Sequence, residues 1–325
     1  MIFGITMGDS SGVGPEILLK AAAAGELRHP FVVFGDLAVL ERANAELGYG
    51  LTVRAADEPS PAGAVHVIDH GIVGADEVRP GELSELSGRA ARAYVVSATT
   101  SALAGEIDAM VTLPMNKEAT QLSDPTFTGH TELIGEVCGA TDVTIMLVSD
   151  DLIVTHVSTH CSLREAIERA TTDRIEKIIE MTYEAVARLR PAPRVAVAGL
   201  NPHAGEHGLF GREEIDEIEP AIARVRAKGM AVDGPIPPDT VFHLAVRRDR
   251  WDAVVCMYHD QGHIPSKLLD FESGVNVALG LPILRTSVDH GTAFDIAWTG
   301  VASTRSLVSA LDLAARMAAG PGGGS

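Results

Sequence analysis

Three histidines each follow an apolar, strand-like run: His160 in THVSTHCSL, His203 in VAVAGLNPHAGE and His259 in AVVCMYHDQGH. A run such as Val195–Leu200 reads as a buried strand that stops at the turn signal Asn201-Pro202. In an open α/β sheet the carboxyl ends of the strands face the ligand crevice. Imidazoles in polar loops at three such ends could converge on one divalent metal and leave positions open for water or substrate. Any one of them alone could as well cap a turn. The repeated placement favours the metal.

Further polar clusters could do chemistry around such an ion. Phe127-Thr128-Gly129-His130-Thr131-Glu132 puts hydroxyls and an imidazole before a helix, where free N–H groups favour an anion. The same segment also reads as a capping box, with Thr128 or Thr131 as the cap. Lys267, Asn276 and Arg285 add donors late in the chain, and a lysine point charge and an arginine fork suit phosphate and carboxylate. Asp239 in PPDT is a candidate for proton transfer, or a structural turn aspartate. The stretch Asp289–Ala297 reads as a cofactor-contacting loop or a plain helix entry.

The first loop, Gly8–Glu16, falls between a strand and a helix. It fails the dinucleotide fingerprint, because Ile17 stands where the third glycine belongs, and no Gly-Lys-Ser/Thr follows. A tight turn with Pro15 at the helix start explains much of it. Its glycine density still implies close approach of the backbone to something.

The elements that must position these groups alternate as in an α/β protein. Expected strands include Ile2–Thr6, Phe31–Phe34, Ala109–Leu113 and Val195–Leu200; expected helices include Gly14–Ala24, Ser87–Ala104 and Thr172–Leu189. Val143–Val148 and Leu152–Val157 flank Ser149-Asp150-Asp151 as a β-hairpin, the mark of a second domain or a dimerisation arm. Expected boundaries place 1–128 with 286–319 in one domain and 129–285 in another. The tail 320–325 reads as flexible.

Among 325 residues, 46% are hydrophobic and 22% charged, so a folded protein is expected, but 4% aromatics leave the core to Ala, Val, Ile and Leu. Lys plus Arg number 26 against 44 Asp plus Glu, a net charge of −18 that argues against duplex nucleic acid as a partner. A small anionic substrate remains compatible, since a few local cations can dominate a cleft. Cys138, Cys161 and Cys256 lack paired spacing, which fits a reducing, cytoplasmic setting. The N-terminus has no basic leader and no run reaches membrane-spanning length, so neither a signal peptide nor a membrane partner is expected.

The motifs GDSSGVGPE, LPMNK, FTGHTE, STH, GLNPHAGE, GPIPPDT, MYHDQG and GVNVALGLPILRTSVDHGTA occur together in one order. By them the chain resembles the 4-hydroxythreonine-4-phosphate dehydrogenase family and its paralogues over all but the tail. The resemblance implies two α/β/α domains around a central cleft, similar to isocitrate and isopropylmalate dehydrogenases, in a homodimer that shares its active site. It implies a divalent cation (Zn, Mg, Mn or Co) held by His160, His203 and His259, one of them from the partner subunit. It implies substrate contacts at His130, Thr131, Lys267, Asn276 and Arg285, with Lys267 and Asp239 as catalytic candidates. NAD is the implied cofactor, with Gly291, Thr292 and Asp295 in its loop. His263 and the sequence FDIAWTG resemble the paralogues that oxidise and decarboxylate 4-phospho-D-threonate or 4-phospho-D-erythronate. Alternatives are 4-hydroxythreonine-4-phosphate, an aromatic dihydrodiol carboxylate, and a non-catalytic phosphosugar-binding protein that keeps the fold.

Overall fold

The alternation of β-branched runs with amphipathic stretches is realised in a computed structural model that describes residues 1–56, 58–270 and 273–321. In chain order the elements are β1 (Phe3–Thr6), α1 (Gly14–Ala23), β2 (Phe31–Gly35), α2 (Leu37–Leu47), β3 (Thr52–Ala55), β4 (Ala64–Asp69), α3 (Glu85–Leu103), β5 (Ala109–Thr112), α4 (Lys117–Ser123) and α5 (His130–Cys138). They continue as β6 (Thr144–Val148), β7 (Ile153–His156), α6 (Leu163–Arg169), α7 (Thr172–Ala187), β8 (Val195–Ala198), α8 (Glu219–Ala227) and β9 (Val232–Ile236). The last are α9 (Pro238–Arg248), β10 (Ala253–Cys256), α10 (His259–Leu269), β11 (Val275–Leu279), β12 (Arg285–Val288) and α11 (Arg305–Ala319). The α/β class is as expected.

The first compact unit holds Met1–Val143 and Leu281–Ala318. Its strands run β3-β4-β2-β1-β5-β12, all parallel. From β1 the chain adds β2 on one side and later β5 on the other, so β1 and β5 flank the point where strand order reverses. Right-handed crossovers put the helices of the two directions on opposite faces. The core is aliphatic with a few rings: Phe3, Ile5, Val33, Phe34 and Met110 are fully buried. Each such side chain contributes roughly 1.5–3 kcal/mol over leaving it exposed.

The second unit is built from Thr144–Gly280. Its order is β11-β6-β7-β10-β8-β9, antiparallel from β11 to β7 and parallel from β7 to β9. Helix α7 lays Ile175, Ile178, Ile179 and Thr182 inward, all fully buried, as their spacing requires. Thr182 donates its hydroxyl proton to the Ile178 carbonyl and meets the Thr155 hydroxyl at 2.7 Å, which satisfies both buried oxygens.

Two expectations change. The hairpin forms, with Leu147 opposite Val154, but it is not a projecting arm: β6 also pairs with β11 and β7 with β10. Its strands are interior to the sheet, paired on both sides, and nearly every one of their side chains is buried. The division between units falls at 143/144 rather than 128, since α5 packs on α3 and stays with the first unit. Of the expected tail, residues 322–325 lie outside the described residues. No helix among the described residues is long and apolar enough to cross a membrane.

Candidate functional site

Strands β7, β10 and β8 are adjacent and parallel, with Cys256 paired to His156 and Val255 to Val197, so their carboxyl ends reach one edge together. His160 leaves just beyond β7 and is exposed. His259 is not in a loop, as expected, but opens helix α10. Its ring centre lies 5.7 Å from that of His160, so these two are brought together. His203 is not: its ring lies 6.0 Å from Phe210, with Nδ1 3.2 Å from Glu206. Among the described residues no three His, Cys, Asp or Glu side chains group to hold an ion. Within one chain, then, two of the three histidines meet and His203 stands apart. The reason is local: His203, Ala204, Gly205, Glu206 and His207 all adopt left-handed backbone, turning His203 outward. For each non-glycine residue that conformation costs about 1–2 kcal/mol, so surrounding contacts must enforce it.

The hydrogen bonds of these rings suit ligation. His259 Nδ1 lies 2.7 Å from Asp260 Oδ1, and His203 Nδ1 faces the Glu206 carboxylate. A carboxylate accepts, so each Nδ1 carries a proton, and in the neutral ring this places the lone pair on Nε2. Metal-bound histidines show this second contact almost always, because it fixes the tautomer and the ring. The donor set of His160, His259 and an outward His203 thus fits a divalent cation.

Two further imidazoles complete the cluster. His263, one turn after His259, stacks on it at 3.6 Å and 10°. Its Nδ1 lies 3.1 Å from both the His259 carbonyl and His156 Nε2. The carbonyl can only accept, so His263 carries its proton on Nδ1 and His156 Nε2 accepts. His156 ends β7 and is fully buried. Burial, then the neighbouring His263, pushes its pKa down to about 3. It was missed in sequence because a histidine inside an apolar run reads as filler; the signal was its spacing, four residues before His160. Gly262 makes the approach possible, since a Cβ there would stand 2.5 Å from His156 Nε2. Buried Gln261 accepts from Met257 N–H and donates to the Gly199 carbonyl, tying the start of α10 to the loop that carries His203.

The other expected residues divide by unit. In the second, Lys267 continues the α10 face that carries His259 and His263, at successive turns. Asn276 sits in β11, opposite Leu147. Asp239 is exposed in the first turn of α9 and accepts from the Thr240 hydroxyl, the turn-aspartate alternative.

In the first unit Arg285 is not a surface cation: it opens β12, is buried, and donates twice to Thr112 Oγ1. Burial lowers its pKa to about 10, opposed by Glu132. Burial and then the Arg285 charge push His130 down to about 3, and its Nε2 is buried without a partner. A neutral ring beside a buried guanidinium is an anion niche in waiting. Gly129, not a threonine, caps α5, and Thr131 is half-buried behind it.

The glycines of the first loop are explained by the chain itself. A Cβ on Gly8 would meet the Pro114 carbonyl at 2.3 Å, and one on Gly14 the Met7 carbonyl at 2.2 Å. At Gly12 it would press on Thr292, whose carbonyl accepts from Val13. Gly291 and Asp295 are exposed beside it. Asp9, also missed, is fully buried with Oδ2 unpartnered, and burial raises its pKa to about 6.

Residues 26–314 match the model of the pyridoxal phosphate biosynthetic protein PdxA. The chain belongs to the PdxA family. It is 46% identical to the D-threonate 4-phosphate dehydrogenase of Salmonella typhimurium, over 97% of this chain and 98% of that protein. It is also 46% identical to a 4-hydroxythreonine-4-phosphate dehydrogenase of Desulfosudis oleivorans, over 98% and 96%. A crystal structure of 4-hydroxythreonine-4-phosphate dehydrogenase from Klebsiella pneumoniae superposes with a TM-score of 0.87 at 43% identity, covering 98% and 99% of the two chains. As a PdxA-family member the chain is a dehydrogenase that acts on a CH–OH group.

The buried groups make stability depend on pH. His130 and His156 have folded pKa values below the unfolded value, so their contribution is complete above about pH 6.5 and is lost as pH falls toward 3. Asp9 acts oppositely: its raised pKa penalises the fold as pH rises from about 4 through about 6. Between pH 4 and 6 the net slope is one proton, about 1.4 kcal/mol per pH unit at most. Asp9→Asn should steepen it toward two protons and raise the urea midpoint at pH 8. Equal slopes for the variant and the parent chain would remove Asp9 from this account.

Proposed function

We propose that the chain catalyses NAD-dependent, divalent-metal-dependent oxidation and decarboxylation of a phosphorylated 3-hydroxy acid, with 4-phospho-D-threonate or 4-phospho-D-erythronate as substrate and dihydroxyacetone phosphate as product. The observation that carries this reading is the pair of carboxylate-backed imidazoles, His259–Asp260 and His203–Glu206, each with Nε2 left as a ligand atom. The name of the Salmonella typhimurium relative supports the choice of acid. When bound, a cation and a nicotinamide supply Lewis-acid polarisation of the hydroxyl and carboxylate region and an acceptor for the hydride.

The chain's own residues do the holding. His160 and His259 from one subunit, with His203 from its partner, are the proposed cation ligands. The proposed anion contacts are His130, Thr131 and Arg285 in the first unit and Lys267 and Asn276 in the second. His130 suits this because it is held neutral, so its Nε2 can accept or, as the other tautomer, donate to a phosphate or carboxyl without repelling Arg285. Binding energy from the phosphate serves orientation of the reacting carbon. Lys267 and Asp239 remain the proposed proton carriers, and Gly291, Thr292 and Asp295 the proposed nicotinamide-cofactor loop.

A homodimer follows from the ligand count, since one chain brings two of the three histidines together. Exposed apolar side chains on this unit support it: Leu163 and Ile167 on α6, Ile264 and Leu268 on α10, and Leu209 and Phe210 after His203. A second reading, 4-hydroxythreonine-4-phosphate as substrate, is favoured by the Desulfosudis oleivorans relative at equal identity.

Three measurements test this. NADH formation with each phosphorylated acid, with and without chelator, should show chelator-sensitive turnover with 4-phospho-D-threonate or its epimer; no turnover with any acid and any divalent cation would make this a binding protein. His203→Ala and His160→Ala should each be inactive, yet their mixture after subunit exchange should recover about one quarter of parental activity, because half the dimers are mixed and each has one intact site. No recovery would exclude the shared site. His263→Leu should change the kcat/KM ratio between 4-phospho-D-threonate and 4-hydroxythreonine-4-phosphate by about tenfold; an unchanged ratio would remove His263 from substrate choice.

A further inference from the structure

The left-handed run that turns His203 outward is held from beneath by one carboxylate. Glu214 is 1% exposed. Its Oε1 accepts from the backbone N–H of Leu200 at 2.8 Å and of Asn201 at 2.7 Å. Its Oε2 accepts from Asn201 Nδ2 at 2.9 Å, and the same amide donates to Glu213 at 2.7 Å. Oε2 also fills the space beneath Gly205, where a Cβ would stand 2.6 Å away, and Oε1 lies 3.2 Å from a Cβ on Gly199. Glycine is required at Gly205 twice over, by its φ of +79° and by this contact.

Glu214 opens a single π-helical turn, Glu214–Ile218, that runs directly into α8. A π turn carries an extra residue and aims its side chains differently from an α-helix, which is why such turns gather at functional sites. This one is anchored on α7, where Glu217 accepts from both the backbone and the hydroxyl of Thr172. Charge-assisted bonds to backbone N–H groups are among the strong ones. Here they satisfy donors at the point where β8 has ended and the left-handed run begins.

We infer that Glu214 is the positioning residue for His203: its buried carboxylate fixes loop 199–207 so that the imidazole is presented to a cation shared with a second copy of the chain. The inference rests on the reading of His203 as a cation ligand. Loop 199–207 is then a pre-shaped donor arm rather than one ordered by the metal, and its geometry is set before any ligand arrives.

The test uses the full chain as Glu214→Gln, Gly205→Ala and His203→Ala. Glu214→Gln keeps one acceptor oxygen but turns an amide toward Asn201 Nδ2; Gly205→Ala pushes the loop off an intact Glu214. Both should speed metal-free hydrogen–deuterium exchange in the 199–210 peptide at least tenfold while α7 exchanges as in the parent. Both should weaken Zn²⁺ binding, read by calorimetry, at least tenfold with little change in the urea midpoint. Unchanged exchange in 199–210 in both variants overturns the inference, as does faster exchange with Zn²⁺ affinity intact when His203→Ala weakens it. If His203→Ala leaves Zn²⁺ affinity unchanged, the cation reading itself fails, and with it the role proposed for Glu214. Should Glu214→Gln not fold, Gly205→Ala alone carries the decision.

Discussion

Parallel register is the constraint on which the candidate site depends. Because β7, β10 and β8 run side by side in one direction, whatever follows each strand is delivered to the same edge. From there, separate local rules decide what meets. A short loop leaves His160 beside the start of α10, where a helix opens and aims His259 and His263 from one face. After β8 the backbone turns left-handed and sends His203 away. One sheet edge therefore carries a pair of imidazoles that meet and a third that points away.

Crowded imidazoles repel one another and any cation when charged, and at the base of the cluster burial keeps His156 neutral. His156 lies under the cluster with no exposure and accepts from His263, whose proton is fixed by a backbone carbonyl. The first unit reaches the same end at His130 by burial, reinforced by the buried guanidinium of Arg285. A chain with a net charge of −18 thus reserves a buried arginine for the polar interior of its first unit, where low dielectric makes it count most.

Most of the framework was legible because periodicity reports burial directly. The α7 stripe of Ile175, Ile178 and Ile179 and the hairpin around Ser149–Asp151 each carry a regular signature, and each formed where expected. What was not legible depends on contacts between distant segments. Helix α10 was obscured by Gly262 and Pro265, both poor helix formers, yet Gly262 is what admits His156. Arg285 was expected as an anion contact, but nothing local says that the strand it opens is buried throughout. Four non-glycine residues in left-handed backbone have no sequence signature at all; the carboxylate of Glu214 that packs against Gly205 comes from farther along the chain.

The same contrast bears on the substrate. Relatives at equal identity carry names for two different acids, so overall similarity does not separate them. Those acids differ at one carbon, by a hydroxyl in place of an amino group. Discrimination at that scale comes from whether a site's fixed donors and acceptors are matched or left unpaired, not from shape. His263 has a fixed orientation: its Nδ1 lies 3.1 Å from both the His259 carbonyl and His156 Nε2, which sets the direction of the ring. Its ring is locked by the His259 stack below and by Gly262, which lets α10 lie close against β7. A selecting group must be held this rigidly, since a ring free to turn could satisfy either acid.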